Sequence, residues 1–169
     1  GLLHKLHDAL MDNQEALAQL LTAEQGKPLF EARGEIAIGA AYVRWFAEEI
    51  RRAKGEIVPA PTADRRLMVT RHPVGVVGAI TPWNFPSSML ARKLGPALAT
   101  GNSLILKPAE QSSLTALRLA ELAAEAGIPE GVYQVVPGLG EEAGQALGRH
   151  MDVDAIAFTG SGEVGKLLL

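Results

Sequence analysis

The sequence contains no cysteine among its 169 residues, which excludes disulfides, thiolate metal sites and a cysteine nucleophile within this chain. Aromatic residues are scarce, at 5%. No apolar run approaches the roughly 20 residues that a membrane-spanning helix needs, and no signal-peptide pattern is present. The net charge of −3 offers no basic surface for nucleic acid. We therefore expect a cytoplasmic protein that binds neither nucleic acid nor membranes.

The residues that are present fit a globular domain. Apolar residues make up 47% of the chain and charged residues 21%, and 169 residues are enough for one domain with a sizeable core. Helical periodicity is present already at Leu3, and Leu169 follows no stop signal. We expect the chain to be a piece of a longer protein.

Residues 1–54 are predicted to form a helical region. Leucines at intervals of three, four and seven predict one helix over 2–23, and a second apolar stripe predicts another over 29–53. His4 and His7 share a helix face, but no third ligand accompanies them, so the sequence predicts a solvated pair and no metal site.

Residues 67–169 are predicted to form a βαβ region, after a loop at 55–66. Strands alternate with helices four times from Val74 onward, which predicts an α/β fold with a mostly parallel, Rossmann-like sheet and flanking helices. Pro96 lies inside the first helical pattern of this region and predicts an end or a kink near Gly95. Ser112 or Ser113 is expected to cap the next helix. The predicted strands are 67–71, 74–80, 103–106, 132–136 and 155–158, and the predicted helices are 88–99, one that starts after Ser113 and stops at Gly127, 140–147, and one after Gly160–Gly165.

A stiff turn at residues 80–86 joins the second of these strands to a helix, where α/β folds place ligands. Two prolines restrict its backbone and hold Asn84 between two aromatic residues. Asn84 has two interpretations. Its amide can cap the following helix or bond the turn backbone, or it can donate to an oxyanion that develops in a reaction.

Three further groups can be interpreted either as ligand contacts or as ordinary surface. Residues 160–165 read Gly-Ser-Gly-Glu-Val-Gly between a strand and a helix, which suits a phosphate or merely a glycine-rich turn. Lys107 and Glu110 follow a strand and suit a ribose or an exposed pair at a helix start. Arg92 suits a carboxylate, and with Lys93 it also suits a solvated basic face.

Five motifs in order along the chain resemble those of the aldehyde dehydrogenase superfamily. The Ala91-Arg92-Lys93 segment and the run Trp45–Glu49 are most similar to succinate- and glutarate-semialdehyde dehydrogenases. The five motifs are Glu24-Gln25-Gly26-Lys27-Pro28, Thr81-Pro82-Trp83-Asn84-Phe85-Pro86, Gly95-Pro96-Ala97-Leu98-Ala99, Lys107-Pro108-Ala109-Glu110, and Phe158-Thr159-Gly160-Ser161 through Val164-Gly165.

The resemblance implies a role for each of these positions. Asn84 would hold an oxyanion, and Arg92 would bind the distal carboxylate of the substrate. In the family's glycine spacing Gly160 and Gly165 matter and Gly162 is variable, so the literal G-x-G-x-x-G is partly accidental. The implied cofactor contacts are Ile80, Thr81, Pro82, Trp83, Lys107, Glu110, Gly140, Gly144, Phe158, Thr159, Gly160, Ser161 and Val164.

The resemblance also implies an NAD(P)-dependent oxidation of an aldehyde such as succinate semialdehyde to a carboxylate. NAD is expected over NADP, because Glu110 would repel a 2′-phosphate. The family's cysteine nucleophile and general-base glutamate would follow Leu169, as would the catalytic domain, so the chain alone is expected to be inactive. The full-length parent is expected to form a homo-oligomer. The alternative is a non-catalytic nucleotide-binding module or an inactive truncation product.

Overall fold

The computed structural model describes residues 1–169, with seven α-helices and six strands. None of the helices combines the length and the apolar character that crossing a membrane requires. The helices are α1 (Leu2–Asp12), α2 (Gln14–Gln25), α3 (Leu29–Glu49), α4 (Ser88–Ala99), α5 (Leu114–Glu125), α6 (Gln145–Arg149) and α7 (Gly162–Leu167). The strands are β1 (Glu56–Val58), β2 (Leu67–Val69), β3 (Val76–Ile80), β4 (Ser103–Lys107), β5 (Tyr133–Val135) and β6 (Ala155–Phe158). Short 3₁₀ turns occupy Ile50–Arg52 and Glu110–Ser112, and a π-helical turn at Gly140–Gly144 leads into α6.

Four strands form a parallel sheet in the order β5-β4-β3-β6. The central strand β3 is apolar and partly β-branched, which suits a strand covered on both faces. A helix follows each of the strands β3 to β6, so the predicted α/β fold with a parallel sheet and flanking helices is confirmed. This topology places the carboxyl ends of all four strands at one edge of the sheet.

The first predicted helix is wrong in one respect, because it is two helices that meet at Asn13. The backbone N–H and the side-chain amide of Asn13 both donate to the carbonyl of Ala9, at 3.1 and 2.9 Å, and α2 begins at the next residue. The leucine stripe continues across the break, so Leu6 and Leu17 are both fully buried. The predicted helix over 29–53 likewise ends at Glu49 and finishes in a 3₁₀ turn.

The segment 55–66, predicted as a loop, contributes strand β1 to an antiparallel two-stranded ribbon with β2. Every residue of both strands is exposed, including Ile57 and Met68. The predicted strand at 67–71 corresponds to β2, whereas Glu56–Val58 lies next to Pro59 and Pro61, which favoured a loop.

Helix α4 has the predicted bounds of 88–99 and continues through Pro96, so the first of the two predicted effects of Pro96, an end near Gly95, is wrong. The second, a kink, stays a prediction. Proline removes one hydrogen bond inside a helix and costs about 3 kcal/mol. The burial of Leu90, Leu94 and Ala97 on one face of α4 outweighs this cost.

A single hydrophobic cluster takes residues from both the helical region and the sheet, for example Ile36, Val43, Ala79, Leu90 and Leu104. Helix α3 lies close to the start of α4 at Gly39. A Cβ added there would lie 3.2 Å from Ser87 Oγ and 3.5 Å from the Ala91 Cβ. The absence of a side chain at this position therefore allows α3 to reach the turn that contains Asn84.

Candidate functional site

The three segments that carry most of the predicted site residues meet at the carboxyl edge of the sheet. Ile80 lies in register with Lys107 on one side and with Phe158 on the other. Backbone pairing extends one residue further, because Thr81 N–H donates to the Lys107 carbonyl at 3.2 Å and Thr159 N–H to the Ile80 carbonyl at 3.1 Å. The positions of these segments are thus fixed to one another by strand hydrogen bonds.

A cleft of about 650 Å³ opens beside β3, between the Gly140–Gly144 turn and α7. Apart from the neighbouring backbone, no atom lies within 4 Å of the point where a Cβ would stand at Gly140 or Gly144, so both Cβ positions face open space although Gly144 itself is buried. A flat apolar group can approach such a backbone closely. Its lining residues are Ile80, Gly140, Glu141, Glu142, Gly144, Gln145, Arg149, Val164, Leu167 and Leu168.

A second groove, of about 330 Å³, lies over the turn that carries Asn84. The Asn84 side chain is exposed there and makes no hydrogen bond within the chain. It does not cap α4, which has no side-chain cap hydrogen bond, so the capping interpretation of Asn84 is wrong. Its amide is free to donate to a ligand. The groove is lined by Pro82, Trp83, Asn84, Phe85, Met89, Thr159, Gly160 and Ser161.

Lys107 and Glu110 form an ion pair with 3.0 Å between Nζ and Oε2. The Lys107 side chain is 3% exposed and the Glu110 side chain 40% exposed, so only the carboxylate faces solvent. A hydrogen bond from its own backbone N–H, followed by the one from Lys107, holds the pKa of Glu110 below its ordinary value. The interpretation of Lys107 and Glu110 as an exposed pair is therefore wrong for Lys107, which is buried. The pair presents a charged acceptor supported by a buried cation.

The glycines around Ser161 differ in what they permit. A Cβ at Gly160 would lie 2.5 Å from the Phe158 ring, and one at Gly165 would lie 3.4 Å from it, whereas a Cβ at Gly162 would meet nothing within 4 Å. The local packing therefore requires glycine at Gly160, whereas a Cβ at Gly165 would make an ordinary van der Waals contact and one at Gly162 would make none. Ser161 Oγ accepts from Val164 N–H at 3.3 Å and caps α7.

Arg92 and Lys93 differ in environment. Arg92 is exposed, and its guanidinium lies 4.9 Å from the centroid of the Tyr42 ring and donates to the Tyr42 hydroxyl. Lys93 Nζ instead donates to Thr159 Oγ1 at 2.7 Å, and burial lowers its pKa. The interpretation of the two as a solvated basic face is therefore wrong for Lys93.

The sequence did not predict the contacts that Tyr42, Lys93, Lys27 and Glu35 make around the site. Tyr42 supports Arg92, and Lys27 Nζ donates to the backbone carbonyl of Asn84 at 3.0 Å. Two of the four carried a sequence signal, Lys27 as part of the Glu24–Pro28 motif and Lys93 as part of the Ala91-Arg92-Lys93 segment. Arg92, Lys107 and Glu110 line neither the cleft nor the groove.

The known proteins that this chain matches in sequence include several dehydrogenases that are named for an aldehyde or a semialdehyde. The chain is 54% identical to the 3-sulfolactaldehyde dehydrogenase of Pseudomonas putida, 50% identical to the glutarate-semialdehyde dehydrogenase of Pseudomonas aeruginosa and 49% identical to the NADP⁺-dependent succinate-semialdehyde dehydrogenase of Escherichia coli. Each match covers 99% of this chain and 35% of the relative. The chain thus spans about a third of the length of these curated relatives.

Solved structures give the same result. The aldehyde dehydrogenase of Brucella melitensis biovar abortus 2308 superposes with a TM-score of 0.97 at 50% identity, over 99% of this chain and 35% of that one. PnpE in complex with nicotinamide adenine dinucleotide superposes with a TM-score of 0.96 at 44% identity, over 99% of this chain and 34% of that one. The aldehyde dehydrogenase family model matches residues 1–169. The chain therefore belongs to the aldehyde dehydrogenase family.

Proposed function

We propose that this chain forms the cofactor-binding side of an NAD(P)-dependent dehydrogenase that oxidises an aldehyde with a distal anionic group to a carboxylate. The observation that carries the proposal is the Asn84 side-chain amide, which is exposed in a groove at the carboxyl edge of the sheet and has no partner within the chain. An amide held in this way can donate to the oxygen of an aldehyde as negative charge develops on it.

The chain contains no cysteine, so the nucleophile would come from the part of the relatives' length that these 169 residues do not span. Attack of a thiolate on the aldehyde carbon moves negative charge to the carbonyl oxygen. Asn84 would donate to that oxygen from the groove. A hydrogen bond that strengthens as the charge grows lowers the barrier, whereas one equally strong in the ground state only improves binding.

The residues at the sheet edge fit a dinucleotide. The open backbone at Gly140 and Gly144 suits an adenine ring, and the exposed carboxylate of Glu110 suits acceptance of hydrogen bonds from a ribose diol. Ser161 would lie at the pyrophosphate. When bound, the cofactor supplies a nicotinamide that accepts hydride. Ile80, Thr81, Pro82, Trp83, Lys107, Phe158, Thr159, Gly160 and Val164 complete the proposed contacts.

Arg92 would bind the distal anion of the substrate. Its guanidinium is exposed, and its stacking on Tyr42 leaves further N–H donors for a ligand. The three relatives above are named for 3-sulfolactaldehyde, glutarate semialdehyde and succinate semialdehyde, which carry a sulfonate or a carboxylate. These anions all match a planar guanidinium donor, which supports an acidic aldehyde as the substrate class.

An Arg92→Ala variant of the longer enzyme that carries this segment tests the proposal. We expect KM for succinate semialdehyde to rise about 10-fold or more, because a charge-assisted hydrogen bond contributes about 1.5–3 kcal/mol. KM for butanal, which has no anionic group, should change little. The control is Arg44→Ala, which removes another exposed arginine that makes no side-chain hydrogen bond. Equal increases for both aldehydes would contradict the proposed carboxylate contact.

A further inference from the structure

Lys27 and Glu35 form a buried ion pair beneath the turn that carries Asn84. Lys27 Nζ donates to Glu35 Oε2 at 2.5 Å, and the two side chains are 8% and 2% exposed. Burying two charges costs desolvation energy, and apolar residues of similar volume often stabilise a fold at least as well. A contribution to the stability of the fold therefore does not by itself explain an ion pair at this position.

The pair holds the main chain at both ends of a short segment. Lys27 Nζ donates to the Asn84 carbonyl at 3.0 Å and lies 3.9 Å from the centroid of the Phe85 ring. The other Glu35 oxygen, Oε1, accepts from the backbone N–H groups of Ser87 at 2.9 Å and Ser88 at 3.1 Å. Glu35 thereby caps α4 from 52 residues away, and Lys27 fixes the residue that carries the amide.

Residues 82–84 of the turn have no hydrogen bonds within the chain apart from the one from Lys27. No backbone–backbone hydrogen bond involves residues 82–84, and the bond from Lys27 is the one hydrogen bond that Asn84 makes within the chain. Its side-chain amide remains free while its carbonyl is held. An oxyanion donor needs this combination, because it must be fixed in place before the charge appears.

We propose that Lys27 and Glu35 are positioning residues for Asn84. The pair fixes the Asn84 main chain, so that the side-chain amide points to the developing oxyanion without rearrangement. This inference rests on the proposed function, which assigns the oxyanion contact to Asn84. It also gives a role to the lysine of the Glu24–Pro28 motif, which lies 57 residues from Asn84 along the chain.

The test measures the rate of hydride transfer in a single turnover of the longer enzyme that carries this segment. The double variant Lys27→Met/Glu35→Gln removes both charges, so no unpaired charge is left buried. We expect it to slow hydride transfer on the order of 10- to 100-fold, as for a displaced catalytic group. In an Asn84→Ala background, already slower by on the order of 100-fold or more, the same double change should slow the reaction by about twofold or less.

The matched control is Glu24→Gln. Glu24 caps α5 in the same way, by accepting from the backbone N–H groups of Leu114 and Thr115, but it has no contact with the Asn84 turn. We expect this variant to lose stability and to keep the rate of hydride transfer. Should the double variant fail to fold by circular dichroism, Lys27→Arg keeps the charge pair and changes only the donor to Asn84. It should show the same dependence on Asn84.

The outcomes separate the two proposals. Equal slowing in both backgrounds, with Asn84→Ala itself slow, would overturn the positioning role and leave the oxyanion role of Asn84 intact. An Asn84→Ala variant with an unchanged rate would overturn the proposed function and the positioning role together. A rate loss in Glu24→Gln as large as that in the double variant would assign the effect to general loss of stability.

Discussion

Glu110 combines exposure with a strong local field. Its carboxylate is 40% exposed, and hydrogen bonds from its own backbone N–H and from the buried Lys107 hold its pKa below the ordinary value of 4.5. The folded state therefore binds this proton less readily than the unfolded chain does. The resulting stabilisation is present above pH 4.5 and is lost as the pH falls through the lowered pKa. At neutral pH the group is a permanent anion.

The first residue-scale prediction follows from that charge. In the longer enzyme, Glu110→Ser should lower the ratio of kcat/KM for NAD to that for NADP, because the repulsion of a 2′-phosphate disappears. The control is Glu121→Ser on the exposed face of α5, where the carboxylate pairs with Arg118. An unchanged ratio in Glu110→Ser would exclude Glu110 as the selecting residue. One relative uses NADP⁺ and one neighbouring structure contains NAD, so the family allows either cofactor.

At the scale of elements, two helices of the βαβ region are capped by carboxylates from the helical region. Neither Ser87 before α4 nor Ser113 before α5 makes a side-chain cap hydrogen bond. The predicted capping of α5 by Ser112 or Ser113 is wrong, because Ser113 stands at the cap position but its hydroxyl donates to the carbonyl of Ala109. Glu35 and Glu24 accept from the free N–H groups of α4 and α5 instead. A carboxylate at a helix N-terminus also interacts favourably with the helix dipole.

The element-scale prediction concerns α5. Glu24→Ala should lower the free energy of unfolding by about 1–2 kcal/mol, because two backbone donors and the Thr115 hydroxyl lose their acceptor. Urea denaturation followed by circular dichroism measures the change. The control is Glu31→Ala in the first turn of α3, since Glu31 is exposed and makes no side-chain hydrogen bond. A loss no larger than that of the control would mean that water replaces Glu24 at the cap.

The strands and helices that the sequence predicted are those whose pattern is local. Largely apolar runs marked β3 to β6, and leucine periodicity marked α1, α2 and α5. Strand β2 was predicted by the alternation at 67–71, whereas β1 was missed because all of its residues are exposed and prolines follow it closely. The break at Asn13 coincides with a side-chain hydrogen bond to the Ala9 carbonyl, and the continuation of α4 through Pro96 depends on tertiary burial. Neither the break nor the continuation can be predicted from the residues next to it in the sequence.

For the whole molecule, the predicted site residues cluster because parallel strands bring their carboxyl ends together. Ile80, Lys107 and Phe158 could be placed at one edge from the strand pattern alone. The ion pair of Lys27 and Glu35 that holds the Asn84 turn could not be predicted in this way. Lys27 and Glu35 act across 57 and 52 residues, and no local pattern indicates which turn a lysine on a distant segment will reach.

The sequence predicted a loop at residues 55–66 that separates a helical region from a βαβ region. In the structure, contacts join these two regions across the loop. Strand β1 pairs with β2 across it, α3 packs on α4, and the buried cluster draws on both parts. The connection itself, residues 59–66, carries no regular structure, and all but one of its residues are exposed. The connecting residues 59–66 therefore take no part in the contacts that hold the two regions together.

It follows that the polypeptide can be cut there without coming apart. Limited trypsin digestion should cleave after the exposed Arg65 or Arg66, and two bands should appear on a denaturing gel. Gel filtration of the same sample should still give one peak at the size of the uncut protein, because the two pieces remain paired through β1–β2 and the α3–α4 interface. Two separate peaks would show that the connection holds them together. Pairing that survives the cut would also allow the two pieces to be made as separate chains and mixed.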